Sequence, residues 1–373
     1  MKKIFLIPLI ILVVSALVFG GCAQPAPTPA PAPAPAPAPT PAPAPAPAPI
    51  KLVIASFEPP PGTGMEPLRN WLQELSDRTG GRVTGEIAYG AAMGKPQEHY
   101  DLAVKGIAHV SYFPVPYNPG RFPMVEAMQL PVTGEISSET FGKSYWELYK
   151  KGYFDHAFRE VKVLYLMGMC PYDLQMAKGE DILTFDDIKG KKIRASGAMH
   201  SEIIKIFGAA PVGLPAPEIP LSMEKGVIDG QFQHWGFIKS FRSEGVTGSV
   251  TAIGVSSLMF VVSMNKATWE KLPADIKAIV DEISPKYGPI TSRAHDEFAE
   301  DSKELLAEVG GVVHQLSAAE LDKIGEAVAP MWEKWIADME AEGRPGRQLV
   351  DDWYNILKGM GVEKPFHGYK PAS

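Results

Sequence analysis

The chain has 373 residues, 45% of them hydrophobic, and its 36 Lys and Arg stand against 43 Asp and Glu for a formal charge of −7. No Lys/Arg cluster offers an electrostatic footprint for nucleic acid. The eight histidines are scattered, without a His-Glu-x-x-His pair or a close Cys/His group, so no zinc site and no other metal or cofactor is expected. The chain opens with Met1-Lys2-Lys3, an apolar run from Ile4 to Phe19, then Gly20-Gly21-Cys22, the three zones of an export signal. That run of about 16 residues is short of the roughly 20 that span a bilayer. Cys22 after two glycines suggests a lipoprotein signal over residues 1–21 with Cys22 as the lipidated N-terminus. An uncleaved anchor helix is the alternative, and Phe19 departs from the leucine usual three positions before the cysteine. Either way the chain is exported and tethered to a membrane. With Cys22 lipidated, the one remaining cysteine, Cys170, cannot form an internal disulfide, and its apolar run from Leu164 to Pro171 predicts a buried, inert thiol.

From Pro25 to Pro49 proline alternates with alanine, broken only by Thr28 and Thr40. Every second residue lacks an N–H and has φ fixed, so the tract predicts extended polyproline II. Residues 22–49 then form a lipidated stalk, whose Pro25 to Pro49 tract reaches at most roughly 75 Å at about 3.1 Å per residue. Flanking Arg or Lys, usual in proline-rich recognition motifs, is absent from the tract.

About 320 residues follow, enough for two lobes. Ile50 to Phe57 reads as a strand apolar on both faces, as when helices cover both sides of a sheet. A helix with Leu68, Trp71, Leu72 and Leu75 on one stripe stops at Gly80-Gly81. Strand (Arg82 to Tyr89), helix (about Gln97 to Lys105) and strand (Ile107 to Phe113) then alternate, which predicts parallel strands and an α/β class. A helix from about Ser138 to Lys151 and a strand from Val161 to Met169 come next. Thr184 caps a turn of helix, with Asp187 completing a capping box. Leu258 to Met264 is a continuous apolar run, the mark of a central strand. From Pro273 the chain is helical, with a break expected around Pro285 to Pro289, a long helix to about Val309, and further helices carrying Trp332, Trp335 and Trp353.

The most informative stretch runs from Thr184 to Trp235. It reads Thr-Phe-Asp-Asp-Ile-Lys-Gly-Lys-Lys-Ile-Arg194, then Phe207-Gly-Ala-Ala-Pro-Val212, Glu218, and Lys225-Gly-Val-Ile-Asp-Gly-Gln-Phe-Gln-His-Trp235. A capped turn, a strand ending on one arginine, a helix and a second βα step closing on Val-Ile-Asp-Gly resemble the solute-binding proteins of tripartite ATP-independent periplasmic (TRAP) transporters, the DctP-like family, from about Ile50 to Gly361. The resemblance implies an α/β two-lobe periplasmic-binding-protein (Venus flytrap) fold, its lobes joined by crossover strands and a long helix. Lobe one would take residues 50–172, lobe two 173–259, the return to lobe one and the long helix 260–310, and lobe-packing helices 311–373. It implies a solute-binding protein of the periplasm or cell surface that passes a small-molecule carboxylate to small and large membrane subunits driven by an ion gradient.

An arginine at the carboxyl end of a strand is well placed to reach a cleft, and its planar fork suits a carboxylate. In the family this arginine clamps the substrate carboxylate, a role that falls here on Arg194; without the resemblance, pairing with a structural Asp or Glu would be the reading. Gln233 stands where many relatives have a ligand-binding asparagine. His234 and Trp235 follow as wall or polar tip, with a core position the alternative for Trp235. His200 is near enough to the same strand end to line the cleft or to sit solvated at a helix start. Phe57, Glu58, Tyr112 and Tyr117 follow strand ends of lobe one and form a candidate opposite wall, with a core position the alternative for Phe57 and Tyr112, and Glu58 would have to accept a ligand hydroxyl or amine.

Sialate-binding relatives place a second arginine twenty residues before the clamp, where this chain has Leu174 with Gln175 beside it. Their aromatic residue before Glu218 is replaced by Ala216-Pro217. One clamp and apolar company suit an aromatic, branched or 2-oxo monocarboxylate. A C4-dicarboxylate would need a second cation, and an extracytoplasmic sensor subunit for the same acid is the reading from another class. No enzyme is expected: the chain has no Gly-x-Ser-x-Gly elbow, P-loop or calcium-loop spacing, and Gly62-Thr63-Gly64 has Pro67 where a dinucleotide turn needs its third glycine.

Overall fold

The computed structural model describes residues 48–134, 136–169 and 171–371. The export signal, Cys22, the stalk up to residue 47 and Cys170 lie outside the described residues. Strand β1 (Ile50–Ser56) pairs in parallel with β2 (Val83–Ala88) and β3 (Val110–Pro114). Strand β4 (Val161–Met169), with the span read from the sequence, closes the sheet through a later strand, Leu258–Asn265, that runs antiparallel to both β3 and β4. All five residues of β3 are buried, as covering on both faces requires. The helix Met65–Arg78 buries Leu68, Trp71 and Leu75 completely, and Trp71 Nε1 donates to Ser284 Oγ at 3.0 Å on the long helix. That bond satisfies the one polar atom a core tryptophan brings with it.

The second sheet is built from β5 (Asp173–Ala177), β6 (Lys192–Ala195), β7 (Ala210–Gly213), β8 (Gly230–Gln233) and β9 (Thr247–Ala252), followed in the chain by β10, the Leu258–Asn265 strand of the first sheet, and then by β11 (Val312–Gln315). Its order is β11-β9-β5-β8-β6-β7, against β2-β1-β3-β10-β4 for the first. The chain therefore passes between sheets from β4 to β5, from β9 to β10, and along the helix Ala274–Glu308 that precedes β11. The first two passages are laced together: Tyr172 and Val255 exchange backbone bonds with one another's neighbourhood (Tyr172 N to Ser256 O at 3.0 Å, Val255 N to Tyr172 O at 3.2 Å). Asp173 Oδ1 accepts the N–H groups of Ile253 and Gly254 at 2.9 and 2.8 Å. Burial nevertheless pushes the Asp173 carboxyl up to about 6, against the pull of those two bonds.

The helix Ala274–Glu308 corrects the expected break, since it runs on through Pro285 and Pro289. Two prolines four apart share one flank, and both sit half-exposed, while Ser284, Tyr287, Gly288, Thr291 and Ser292 are buried on the side that packs on β4. Packing of that side outweighs the local cost of proline. A second helix, Ser138–Lys150, packs on β4 backbone to backbone. A Cβ added at Gly168 would meet the side chain of Phe141 and stand 2.8 Å from Gly142 N and 2.9 Å from Ser138 O. Gly168→Ala is therefore expected to cost about 2 kcal/mol, read as a lowered thermal midpoint. Gly245→Ala, with open space around the new methyl, should stay within about 0.5 kcal/mol; equal midpoints would show that the helix Ser138–Lys150 can lift off the strand without loss.

Helices Pro330–Ala341 and Gly346–Gly359 bury Trp332, Trp335 and Trp353. Trp332 stacks on Phe366 with centroids 4.2 Å apart, and Trp353 Nε1 donates to Ser144 Oγ at 3.0 Å. The C-terminal segment is thereby fixed on the first sheet's helices.

Candidate functional site

Arg194 occupies the third position of β6, which lies between β7 and β8 with all three parallel, so its side chain leaves the carboxyl end of the sheet. It is fully buried. Nε donates to the Leu214 carbonyl at 2.9 Å and Nη2 to the Tyr117 hydroxyl at 3.0 Å, while Nη1 has no partner. Among the described residues no carboxylate forms a salt bridge with it. A buried guanidinium without a counter-charge is costly, and this one borders a small cavity lined by residues of both sheets.

The cavity's polar groups come from both sheets. Tyr117 ends the turn Val115–Tyr117 that follows β3. Its oxygen accepts from Arg194 and from Ala216 N, each at 3.0 Å, which fills both lone pairs and leaves the O–H to donate. Gln233 closes β8, and its Oε1 accepts the backbone N–H of His234 at 3.1 Å, leaving the NH₂ end for another acceptor. Thr63 and Ser240 share a hydrogen bond of 2.7 Å between the same two sides.

Aromatic rings supply the walls. Phe57 stacks on Phe260 with centroids 5.9 Å apart, and Tyr172, Phe237 and Phe241 stand around the second-sheet side. Glu58 is the one carboxyl facing the cavity among the described residues. It accepts from the Tyr112 hydroxyl at 2.7 Å and from Gly64 N at 3.2 Å, yet burial pushes it up to about 7. The same burial, with the Glu58 carboxyl beside it, holds the Tyr112 hydroxyl well above its ordinary value.

The structure thus gathers Arg194, Gln233, His234, Tyr117, Phe57 and Glu58 around one cavity. The His234 ring stands 5.7 Å, edge to face, from His295 on the long helix, and burial keeps both imidazoles neutral, with His295 pushed down to about 3. Three other candidates lie outside the lining. Trp235 packs with Ile238, Val250, Ala299 and Leu306 in a small core under the long helix. Gln175 is fully buried within the sheet, donating to the His234 carbonyl at 2.9 Å and accepting from Gln231 at 2.9 Å. His200 is buried behind Ser196 and the Tyr172 ring, 4.6 Å from the latter by centroids. Sequence reasoning missed Ser196, Tyr172, Phe260, Phe237 and Phe241. Ser196 carried a signal: it stands two residues beyond Arg194, on the same side of an extended chain.

A larger, open depression lies on the outer surface beside Lys151, Arg344 and Asp352. Its cations are already paired, Lys151 with Asp352 at 3.3 Å and Arg344 with Glu342 at 2.9 Å, so it offers no unmet charge comparable to Arg194.

A model of the bacterial extracellular solute-binding proteins, family 7 (DctP), matches residues 55–338. The fold is similar to a TRAP solute-binding protein from a marine metagenome, specific for aromatic acid ligands and in complex with metahydroxyphenylacetate. The TM-score is 0.79 at 26% identity, covering 83% of this chain and 99% of that one. A TRAP solute-binding protein from Rhodoferax ferrireducens T118 in complex with copurified benzoate gives the same TM-score and identity, covering 84% and 98%. By sequence, the C4-dicarboxylate-binding periplasmic protein DctP of Vibrio cholerae is 28% identical over 173 residues, 45% of this chain and 51% of that protein. A solute-binding protein of Albidiferax ferrireducens is 24% identical over 260 residues, 69% of this chain and 76% of that protein.

Proposed function

The chain belongs to the DctP family and is a TRAP transporter solute-binding protein, and from that membership we propose that it captures an aromatic monocarboxylate outside the cytoplasmic membrane, with Arg194 as the clamp on the carboxylate. Proteins of this family bind small organic acids, work with membrane subunits and are not enzymes. The observation that carries the specific reading is the fully buried Arg194, whose Nη1 meets no protein acceptor beside a cavity walled by aromatic rings. A bound carboxylate supplies the missing counter-charge, Tyr117 and Gln233 add donors, and the acid's apolar body is left to Phe57, Phe260 and Tyr172. The likeness to two proteins in complex with metahydroxyphenylacetate and benzoate, at 26% identity, favours an aromatic body.

In this reading residues 50–172 and 260–310 form one lobe and 173–259 the other, and the bonds of Tyr117 to Arg194 and of Thr63 to Ser240 belong to the closed state. A ligand that touches both sides stabilises closure by its extra affinity for it. Cys22 and the stalk hold the domain at the membrane. Arg194 is the one Lys or Arg facing the cavity among the described residues, so a C4-dicarboxylate would leave its second charge unpaired despite the likeness to the Vibrio cholerae protein.

A thermal-shift panel on the domain from Ile50 tests the assignment. Ligand at one hundred times its dissociation constant adds about 2.7 kcal/mol of stability, so benzoate-like and arylacetate-like acids should raise the midpoint by several degrees while succinate and fumarate leave it unchanged. A shift with the diacids alone would overturn the monocarboxylate reading.

A further inference from the structure

Ser196, His200 and Ser256 form a chain of hydrogen bonds whose directions can be read from its far end. Ser256 Oγ donates to the Gln129 carbonyl at 2.5 Å, so toward His200 Nε2, 2.9 Å away, it can only accept. The Ser257 carbonyl, 3.3 Å from the same nitrogen, can also only accept. Nε2 therefore carries the proton of the imidazole. Burial beside Arg194 pushes His200 down to about 3, so the ring is neutral and has no second proton. Nδ1 is left as a lone pair, and the group bonded to it is the Ser196 hydroxyl, which must spend its only proton there.

Ser256 is held in place for this. It adopts a left-handed backbone, φ 80°, in the passage from β9 to β10, a conformation that costs free energy for any residue with a side chain. It is fully buried there, as are His200 and Ser257. The chain thus fixes the protonation pattern of a group two residues from Arg194, on the wall of the same cavity.

We infer that Ser196 Oγ is an obligate hydrogen-bond acceptor next to the clamp, and that it selects carboxylic acids bearing a hydrogen-bond donor, an O–H or N–H, on the carbon adjacent to the carboxylate. The inference rests on the reading of Arg194 as the carboxylate clamp and refines it. Around the ligand head the groups then sort by polarity: Arg194 Nη1, the Tyr117 O–H and the Gln233 NH₂ donate to the carboxylate, while Ser196 Oγ presents lone pairs to the neighbouring substituent. A 2-hydroxy acid satisfies both. An acid without the substituent leaves one acceptor unmet, and a 2-oxo acid sets two acceptors against each other, an arrangement that costs a desolvated polar group its partner.

Mandelate, phenylacetate and phenylglyoxylate share one aromatic body and differ only at that carbon, so isothermal titration of the three against the wild-type domain and Ser196→Ala isolates the effect. In the wild type mandelate should bind roughly tenfold more tightly than phenylacetate, with phenylglyoxylate weakest. In Ser196→Ala mandelate should weaken and phenylacetate strengthen until the two match, and phenylglyoxylate should gain affinity. A general loss of folding lowers all three and cannot produce a gain. As a separate readout, the ring nitrogens of His200 should show the Nε2–H tautomer by ¹⁵N NMR, in the free protein as well as the bound one. Equal affinities for the three acids, or preference for the 2-oxo acid, would overturn the role of Ser196 while leaving the clamp intact. Silence to all three would overturn the carboxylate reading and this inference with it.

Discussion

Arg194→Ala is expected to weaken carboxylate binding by at least a hundredfold while the free protein melts almost where the wild type does. The two halves have separate causes. In the free protein Arg194 makes two neutral-acceptor bonds, to the Leu214 carbonyl and the Tyr117 hydroxyl, and sets against them a buried charge with no counter-ion. Removing it loses the bonds and relieves the desolvation, so the net change should stay within about 1 kcal/mol. In the complex the guanidinium faces an anion in the same enclosed space. Loss of one member of a buried charge pair costs about 3–5 kcal/mol, much of it from the partner left unpaired, which corresponds to a few hundredfold or more in affinity. Arg194→Lys should be nearly as damaging, because a single ammonium cannot serve Leu214, Tyr117 and a carboxylate together. Titration calorimetry with thermal melts of the free variants checks both. An unchanged dissociation constant would remove Arg194 from the site, and a collapsed free protein would make it a structural pillar instead.

Much of the frame was legible because it rests on local chemistry. β4 spans Val161–Met169 as its apolar run demands, and the capping box at Thr184 is formed, with Asp187 Oδ2 accepting from Thr184 N at 2.7 Å. Strands β5, β9 and β11 are short and carry mixed residues, and β11 is largely exposed. Their identity comes from neighbours in the sheet, which no local pattern records. The unbroken helix through Pro285 and Pro289 is the same lesson with the opposite sign, because packing on β4 overrides a strong local signal. At the site, Arg194 and Gln233 were legible as strand ends. Past the end of β8 the pattern lapses: His234 turns to the cavity and Trp235 to the core with Ala299 and Leu306. Adjacent side chains on opposite faces are expected of extended chain, but which face is the cavity depends on where the long helix lies. His295, meeting His234 from that helix, sits 61 residues further along and had no sequence signal.

Glu58→Gln should stabilise the free protein above neutral pH and flatten the pH dependence of binding. Burial raises the Glu58 carboxyl from 4.5 to about 7, so the folded state holds the proton more tightly than the unfolded state does. Below about pH 4.5 both states are protonated and the group contributes nothing. Between 4.5 and 7 the unfolded chain ionises first and stability falls as pH rises; above 7 the penalty is complete, about 3 kcal/mol at most. The amide avoids it while still accepting Gly64 N–H and bonding Tyr112, so the variant should melt roughly 5 °C higher at pH 8 and together with wild type at pH 4.5. A residual slope should persist from Asp173, which burial raises to about 6. Binding follows by linkage. An anion entering the cavity favours the neutral carboxyl, so wild-type affinity should fall as pH rises from 6 to 8. Two groups that share the space do not titrate there: Tyr112 is held protonated and His234 is held neutral. Glu58→Gln should make the dissociation constant level across that range. A wild-type dissociation constant already level from pH 6 to 8, with equal melting of both proteins at pH 8, would mean that Glu58 is ionised in the free cavity and that the aromatic walls around it admit more water than their packing suggests.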